Sequence, residues 1–226
     1  MKILIINGSP RKNGATGKIL KYYNEYFVKN YSNINVELVN LIDYNIKYCV
    51  GCENCYKTGK CIITDDNVEN IRDLIKTSDG IIFSSPNYAS NVTGLFKSFY
   101  DRVHITMEQL LYKKPCITLT VYENLMGHKT SGVLNELVMN SGGYTVSSLI
   151  IKNIFNEDPL NEKNKRKIEK TGKLFVKKII KNKPPLYSKI YTKIAINMFL
   201  KPFVFKNKEN HKGIIESWIE SKLIKI

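Results

Sequence analysis

The segment that decides the fold is residues 2–16, KILIINGSPRKNGAT. Lys2–Asn7 is an apolar run with several β-branched side chains, which is typical of a strand buried in a parallel sheet. A short turn rich in Gly, Ser and Pro follows, and a helical pattern runs from Thr16 to Tyr31. Because N–H groups of such a turn and of a helix start can point at one ligand, this segment predicts an anion site.

Strand and helix patterns alternate along the chain as far as residue 183. Further strands are predicted at Asn35–Asn40, Gly80–Ser84, Cys116–Val121 and Tyr144–Ile151. Further helices are predicted at Asp65–Lys76, Gly94–Leu111, Lys129–Asn140 and Asn161–Ile180. Five strands in this alternation predict an α/β, doubly wound parallel sheet of flavodoxin-like order 2-1-3-4-5. Ligands of such sheets bind at the carboxyl ends of the strands, so we expect the site after strands one, three and four.

A helical extension is predicted beyond the first domain, residues 1–183. Pro184 and Pro185 interrupt the chain, and two helices follow at Leu186–Phe205 and Glu209–Ile224. One face of the first helix carries Ile190, Ile194, Met198 and Phe199. We expect residues 184–226 to pack on the domain or on a partner subunit, and contact with a membrane surface is the alternative.

The net charge of +15 is concentrated in this C-terminal part of the chain. Residues 152–226 hold 19 Lys and Arg against 7 Asp and Glu, and the whole chain has only four Arg. Arg is the residue suited to reading bases and phosphates, so the composition argues against a nucleic-acid-binding protein. No apolar stretch is long enough for a transmembrane helix, and we expect a cytoplasmic protein.

The turn after the first strand offers specific donors to a phosphate. The hydroxyls of Ser9 and Thr16 can donate hydrogen bonds, Arg11 adds a fixed charge, and Gly8 and Gly14 let the backbone approach closely. The pattern is neither G-x-G-x-x-G nor a P-loop, which argues against a dinucleotide fold and against an NTPase. An ordinary strand-to-helix turn capped by a side chain is the alternative.

Two motifs together carry a resemblance to a known family. GSPRKNGAT, residues 8–16, and SSPNYASNVTGLFKSFYDR, residues 84–102, resemble the two flavin loops of the NADPH-dependent FMN reductase and multimeric flavodoxin group. The resemblance covers about residues 1–152 and implies bound FMN, with Ala15 standing where relatives often have Asn. It implies a phosphate site of Ser9, Arg11, Asn13, Ala15 and Thr16. It implies a ring site of Pro86, Asn87, Tyr88, Ser90, Asn91 and Val92.

Four of the five cysteines lie within residues 49–61, CVGCENCYKTGKC. Cys49, Cys52 and Cys55 have the C-x2-C-x2-C spacing that wraps a [4Fe–4S] cluster, and Cys61 can supply the fourth ligand. The arrangement resembles the iron–sulfur flavoproteins, a branch of the same group. A zinc ion, a redox-active dithiol and four free thiols remain alternatives. Cys116 lies in an apolar strand and is predicted to be a core residue.

The predicted function is that of an FMN-dependent oxidoreductase. The donor would be NAD(P)H or a reduced ferredoxin-type protein, and the acceptor a quinone, a nitro compound or an oxygen species, with a [4Fe–4S] cluster taking part. The alternative is a carrier that passes electrons between proteins. Because the flavin supplies the chemistry, no catalytic side chain is assigned, and Asp101 and Arg102 are interpreted as a structural ion pair. The resemblance also implies a homodimer or homotetramer.

Overall fold

Five parallel strands form one sheet in a computed structural model that describes residues 1–224. The strands are β1 (Lys2–Asn7), β2 (Asn35–Asn40), β3 (Gly80–Pro86), β4 (Pro115–Tyr122) and β5 (Tyr144–Lys152). Their order is β2-β1-β3-β4-β5, so the predicted fold class is confirmed. The chain leaves β1 toward β2 on one side and returns to β3 on the other, which places the switch point beside β1.

Ten α-helices surround the sheet or extend from it in the described part of the chain. They are α1 (Ala15–Asn30), α2 (Asn54–Thr58), α3 (Val68–Thr77), α4 (Gly94–Arg102), α5 (Ile105–Glu108), α6 (Gly127–Asn140), α7 (Glu162–Lys181), α8 (Leu186–Ile194), α9 (Lys201–Lys206) and α10 (Lys212–Glu220). Apolar residues of α1 and α7 pack on one face of the sheet, and those of α3, α4 and α6 pack on the other. Because strand side chains alternate, Ile3 and Ile5 join the first core while Leu4 and Ile6 join the second.

The prediction of one helix over Gly94–Leu111 is wrong in its second half. α4 ends at Arg102, and His104 has a left-handed backbone with φ of 35°. A short helix, α5, follows, and Gln109 is again left-handed. The kink places His104 Nδ1 2.5 Å from Glu108 Oε1, so a buried polar contact replaces the regular helix. The predicted start of α3 at Asp65 is also wrong, because the side chain of Asp66 is used in a buried ion pair instead.

The two predicted C-terminal helices are present within residues 186–220. The first consists of α8, a π-helical segment at Ala195–Leu200 and α9, without a break in helical backbone. The π segment ends at Leu200, two residues before Pro202, whose ring would clash with a carbonyl of a regular α-helical turn. Among the residues described, no helix is long and apolar enough to cross a bilayer.

The first of these helices does not pack its apolar face on the domain. Ile190, Ile194, Met198 and Phe199 all point outward, each at least 47% exposed. The inward positions are occupied by Ser188 and Thr192 and by the apolar Ile196 and Val204, all of them buried. The four apolar residues named above therefore do not contact the domain, and their packing on a partner subunit stays a prediction.

Candidate functional site

A cleft of about 650 Å³ lies at the carboxyl ends of β1, β3 and β4. The predicted phosphate residues all line it, as do Pro86, Asn87 and Tyr88 of the predicted ring site. Its lining residues are Ser9, Arg11, Lys12, Asn13, Gly14, Ala15, Thr16, Lys18, Pro86, Asn87, Tyr88, Val121, Tyr122, Glu123, Asn153, Phe155, Asn156, Glu157 and Pro159. The structure thus brings the two motif loops together at the edge that the topology predicts.

The loop after β1 is held by its own short hydrogen bonds. Ser9 Oγ accepts a hydrogen bond from the N–H of Arg11 at 3.1 Å, and Ser9 N–H donates to Asn7 Oδ1 at 3.0 Å. The N–H of Gly14 donates to the carbonyl of Arg11 at 3.1 Å. These bonds hold residues 9–14 in a compact turn that borders the cleft.

The N-terminus of α1 has no side-chain cap. Its N-cap residue is Gly14, so the alternative of a turn capped by Asn13 or Thr16 is wrong. Asn13 Oδ1 accepts from Lys21 Nζ at 2.8 Å instead. The N–H groups of the first helical turn have no partner within the helix, and a phosphate is the ligand that such a helix end binds.

Two glycines make this loop possible by close backbone approach. A Cβ on Gly8 would lie 2.5 Å from the Ser84 carbonyl oxygen, and a Cβ on Gly17 would lie 1.8 Å from the Lys12 carbonyl oxygen. Gly14 is less demanding, since its nearest neighbour would be 3.3 Å away. The close approach at Gly8 was predicted from the sequence, as was one at Gly14, whereas the tighter approach at Gly17 was missed.

The second motif loop makes a tight turn after β3. Tyr88 and Asn91 exchange two backbone hydrogen bonds of 2.9 Å, and the two residues between them, Ala89 and Ser90, both have positive φ. This geometry is a type I′ turn. Tyr88 is 43% exposed at the cleft. Ser90 and Asn91 lie at the tip of the turn, outside the cleft lining, and their ring contacts stay predictions.

Val92 packs in the core, with 7% of its surface exposed. Its side chain therefore faces away from the cleft, and only its backbone remains available to a ring. Asn91 Oδ1 accepts from the Val92 N–H at 2.8 Å. This bond leaves less of the Asn91 amide free for a ligand.

Asn87 fixes the second loop against the loop after β4. Its N–H donates to Val121 O at 2.8 Å, its Nδ2 donates to Leu125 O at 3.0 Å, and its Oδ1 accepts from Thr130 Oγ1 at 2.6 Å. The side chain is thereby committed to protein partners. Asn87 positions the wall of the cleft and leaves the backbone of the loop to face a ligand.

Thr93 connects the two motif loops. Its Oγ1 donates to the carbonyl of Gly8 at 2.7 Å and accepts from the N–H of Phe96 at 3.0 Å, which caps α4. Its own N–H donates to Ser85 Oγ at 3.0 Å. Thr93 was not singled out from the sequence, because its bond to Gly8 joins residues that are distant in the chain.

A third wall comes from two loops. Tyr122 and Glu123 line the cleft, as expected, and Glu123 Oε1 accepts from the N–H of Phe155 in the loop after β5. Phe155 is 60% exposed, and the Arg11 guanidinium lies 5.6 Å from its ring centre. The loop after β5 carries no motif and was missed; the only available signal was that β5 ends at the same edge.

The four clustered cysteines line one small cavity, of about 30 Å³, together with Arg102 and His104. A second cleft of about 230 Å³ adjoins it and shares Cys49, Cys55 and His104. Cys49 and Cys52 are exposed, while Cys55 and Cys61 are partly buried. The four thiols therefore border one cavity, and their role as ligands of a [4Fe–4S] cluster stays a prediction. Cys116 is fully buried, as predicted.

A zinc ion would require these four thiols to lie close together. Within residues 1–224, no three Cys, His, Asp or Glu side chains come close enough to share one ion. Zinc needs its four sulfurs about 3.8 Å apart, given a Zn–S distance of about 2.3 Å. A [4Fe–4S] cluster binds each thiolate to a different iron and therefore needs a wider set. Burial, together with the neighbouring thiols, raises the pKa of Cys55 to about 12. A metal that binds this sulfur must therefore displace the proton of the thiol.

Arg102 fastens both ends of the cysteine loop. Its Nη1 donates to Asp66 Oδ2 at 2.6 Å and to Lys47 O at 3.1 Å, and its Nη2 donates to Ile63 O at 3.0 Å. Burial opposes the charge of Asp66, but bonds from Arg102, Lys47 and Val68 outweigh it and lower the Asp66 pKa. Asp101 pairs with Lys97 on the surface, so the two residues of the Asp-Arg motif form separate ion pairs.

Two buried nitrogens beside the thiols, Arg102 Nε and His104 Nε2, have no hydrogen-bond partner within residues 1–224, although Glu69 Oε1 lies 3.5 Å from His104 Nε2. Both residues line the thiol cavity. Unpaired buried donors are costly, and an anionic group bound by the cysteines would satisfy them. The donor set and these two nitrogens therefore fit an iron–sulfur cluster, which has thiolate ligands and inorganic sulfides.

A buried charge network supports His104. Glu108 is fully buried and accepts from His104 Nδ1 at 2.5 Å and from Arg72 Nη2 at 2.6 Å. Burial opposes both ionised forms, but the pair interactions outweigh it: the Glu108 pKa is lowered and the His104 pKa is raised. Glu69 Oε1 lies 3.5 Å from His104 Nε2 and accepts from the Cys61 N–H at 3.3 Å.

The C-terminal helix α10 covers this site. Ser217 Oγ donates to Glu108 Oε2 at 3.1 Å, and Trp218 Nε1 donates to Met107 O at 2.8 Å. Gly213 lies directly against Gly59 at the end of α2, where a Cβ would approach the Gly59 nitrogen to 2.1 Å. Residues 212–220, which lie within the predicted extension, therefore pack against α2, the helix that carries Cys55.

One helix connects the two sites. α4 begins at Thr93 beside the carboxyl-edge cleft and ends at Arg102 beneath the cysteine loop. Nine residues span about 13–14 Å. The two sites share no lining residue, so the thiols lie a helix length away from the cleft. The loop after β2 contacts the end of α4, where Arg102 Nη1 donates to Lys47 O at 3.1 Å.

The sheet order and the position of the cleft define a flavodoxin-like α/β protein with a ligand cleft at the carboxyl edge of its sheet. The chain belongs to the NADPH-dependent FMN reductase family, whose model matches residues 1–156. This confirms the family resemblance seen in the two loop motifs, and FMN is the cofactor of the class.

Similar proteins extend the match beyond the family model. An iron–sulfur flavoprotein of Clostridioides difficile (strain 630) is 50% identical over 225 residues, covering 99% of this chain and 100% of that protein. An iron–sulfur flavoprotein of Archaeoglobus fulgidus is 38% identical over 105 residues, 46% of each chain. The full-length match to the first of these proteins confirms the resemblance to the iron–sulfur flavoproteins.

Solved structures share the fold at low sequence identity. The FMN-dependent NADH-azoreductase of Bacillus anthracis, in complex with FMN, has a TM-score of 0.62 at 14% identity, covering 76% of this chain and 98% of that one. Flavodoxin 1 of Bacillus cereus has a TM-score of 0.54 at 16% identity, covering 78% and 98%. These likenesses support the architecture alone.

Proposed function

We propose that this protein is an FMN-dependent oxidoreductase with a second redox group, a [4Fe–4S] cluster held by Cys49, Cys52, Cys55 and Cys61. Electrons would come from NAD(P)H or from a reduced ferredoxin-type protein. They would pass to a quinone-like, nitro or oxygen-species acceptor. The observation that carries the proposal is the connection of a flavin cleft and a four-thiol cavity by α4. The full-length relative named an iron–sulfur flavoprotein supports it.

The residues of the cleft bind and orient rather than react. N–H groups of the loop after β1 and of the first turn of α1 would hold the phosphate, with the charge of Arg11 close by. Asn87 and Thr93 would keep the second loop in place against the ring. When bound, the flavin exchanges one or two electrons and the cluster exchanges one.

Residues around the thiol cavity would hold the cluster and set its surroundings. The four thiols supply the ligands, and Arg102 Nε and His104 Nε2 would donate to sulfur atoms. α10 covers the site on the side of Glu108. The charge of Arg102 favours the reduced, more negative state of a group bound beside it.

The proposed donors separate in one anaerobic experiment. The oxidised flavin absorbs in the visible range, and its bleaching is followed after adding NADH, NADPH or chemically reduced ferredoxin. Rapid bleaching by NAD(P)H supports the reductase. Bleaching by reduced ferredoxin alone means that NAD(P)H is not the donor. If none of the three reduces the flavin, the proposed function is wrong.

The second candidate is a carrier between proteins without a small-molecule substrate. It is favoured by the C-terminal charge, 19 Lys and Arg against 7 Asp and Glu over residues 152–226, which suits an acidic partner. Multiple turnover of a quinone or nitro compound would exclude it. We also propose, from the family resemblance, a homodimer or homotetramer, which sedimentation analysis tests.

A further inference from the structure

The C-terminal arm, residues 186–206, carries its large apolar side chains on the outside. One row has a spacing of four residues and consists of Leu186, Ile190, Ile194 and Met198. Beside it lie three exposed aromatic residues, Tyr187, Phe199 and Phe203. Leu186 is 72% exposed and Met198 and Phe199 are each 66% exposed. This stripe is unusual for a helix that lies on a domain, where apolar residues face inward.

The inward side of the arm is held by two hydrogen bonds and by a few apolar residues, Ile196, Leu200 and Val204. Ser188 Oγ donates to Gly143 O at 3.3 Å, and Tyr191 OH donates to Asn140 Oδ1 at 2.6 Å. A cavity of about 390 Å³ remains between the arm and the domain. Val204 anchors the far end in the small core around Trp218. Apolar packing on the domain therefore does not explain the composition of the arm.

Lysines flank the apolar stripe. Lys189, Lys193 and Lys201 lie at intervals of four and eight residues between the stripe and the buried side. Residues 170–208 contain eleven Lys and no Asp or Glu. An outward apolar stripe beside a basic row is the arrangement of a helix that lies in a membrane interface.

We propose that the arm docks on the surface of a lipid bilayer that contains anionic lipids. The aromatic and aliphatic side chains would enter the boundary of head groups and acyl chains, and the lysines would face lipid phosphates. A second copy of the chain is a poorer occupant, because pairing two such arms brings rows of lysines with like charge together. This proposal is independent of the electron donor and acceptor proposed above.

The test is co-sedimentation of the full-length protein with vesicles. One set contains phosphatidylcholine alone, and the other contains phosphatidylcholine with about 30% phosphatidylglycerol. We expect binding to the anionic vesicles at about 0.1 M salt, and a strong decrease at about 0.5 M salt, because salt screens the lysines. Phe199→Ser should lower the vesicle partition coefficient about tenfold because apolar burial is lost. Lys193→Glu should lower it by a similar factor because the charge is reversed.

Matched controls change the same chemistry away from the arm. Val28, 62% exposed on α1, is replaced in Val28→Ser, and the exposed Lys29 is replaced in Lys29→Glu. Both should bind as the wild type does. Absence of vesicle binding overturns the proposal, and so does binding by Phe199→Ser that equals the wild type. An oligomer that dissociates in Phe199→Ser, without any vesicle binding, would show that a second copy covers the stripe instead.

Discussion

Arg102 and Asp66 form a buried ion pair beneath the cysteine loop, with Arg102 Nη1 2.6 Å from Asp66 Oδ2 and both side chains at most 1% exposed. Thirty-six positions separate the two residues in the chain. The pair joins the end of α4 to the segment before α3, and the same guanidinium holds the carbonyls of Lys47 and Ile63. The shape of the cysteine loop therefore depends on this one pair.

Replacing Arg102 with Met should destabilise the protein and release the loop. Removal of one partner leaves a buried carboxylate unpaired, so the free energy of unfolding should fall by about 3–5 kcal/mol. Urea unfolding measures this change. The matched control is Lys97→Met in the same helix, which breaks the exposed pair with Asp101 and should cost at most about 1 kcal/mol. Equal effects of the two substitutions would contradict the role given to Arg102.

Thr93→Val should weaken FMN binding as well as stability. It removes the bond to Gly8 O and the cap of α4, a loss of about 1–3 kcal/mol in unfolding free energy. Fluorescence titration of the apoprotein with FMN should show a clearly higher Kd, because the two loops lose their connection. Thr77→Val is the control, since its hydroxyl bonds only to carbonyls at the end of α3. A normal Kd in Thr93→Val would mean that the loops align without Thr93.

Gly17→Ala should impair FMN binding although it changes no ligand-facing side chain. The added Cβ would lie 1.8 Å from the Lys12 carbonyl oxygen, so the phosphate loop must shift. Gly132→Ala in α6 is the control, because its Cβ meets open space and Ala is the better helix former. We expect a higher FMN Kd and a lower melting temperature for the first variant, with an unchanged Kd for the second. A normal FMN Kd in Gly17→Ala together with a higher Kd in Gly132→Ala would refute the assignment of the loop after β1 as the phosphate site.

Stability should fall in acid through the buried carboxylates. The pKa values of Asp66, Glu69 and Glu108 are lowered in the folded protein, where ion pairs and hydrogen bonds outweigh burial. Their stabilisation is complete above the unfolded values of about 4 and is lost as the pH falls through the folded values. Urea unfolding between about pH 7 and pH 3 should show this decline. Asp66→Asn should be less stable than the wild type at pH 7 and equally stable in acid. A difference in unfolding free energy that stays constant with pH would contradict the role given to the Asp66 carboxylate.

The sheet and the flavin loops could be predicted from the sequence because local patterns specify them. Lys2–Asn7 and the turn at Gly8 carry a strand, a turn and a helix start within fifteen residues. The strand order followed from the regular alternation of elements. The pattern of cysteines likewise indicated one site, and its four thiols line one cavity.

What could not be predicted depends on contacts between distant residues. The kink at His104 exists because its side chain bonds to Glu108 inside a network that includes Arg72 and Ser217 from other elements. The orientation of the arm is a second case. Periodicity identifies the apolar face of a helix but not what the face contacts, and here Ser188 faces the domain while Phe199 faces outward.

The central claim is that the four cysteines hold an iron–sulfur cluster beside an FMN site. Its most direct test is the assay of iron, acid-labile sulfide and FMN in protein purified without oxygen. We predict bound FMN with about four iron and four sulfide per chain, lost in Cys49→Ser and retained in Cys116→Ala, which alters the buried cysteine of β4. Zinc in place of iron, or iron in Cys49→Ser at the level of the wild type, would contradict the claim.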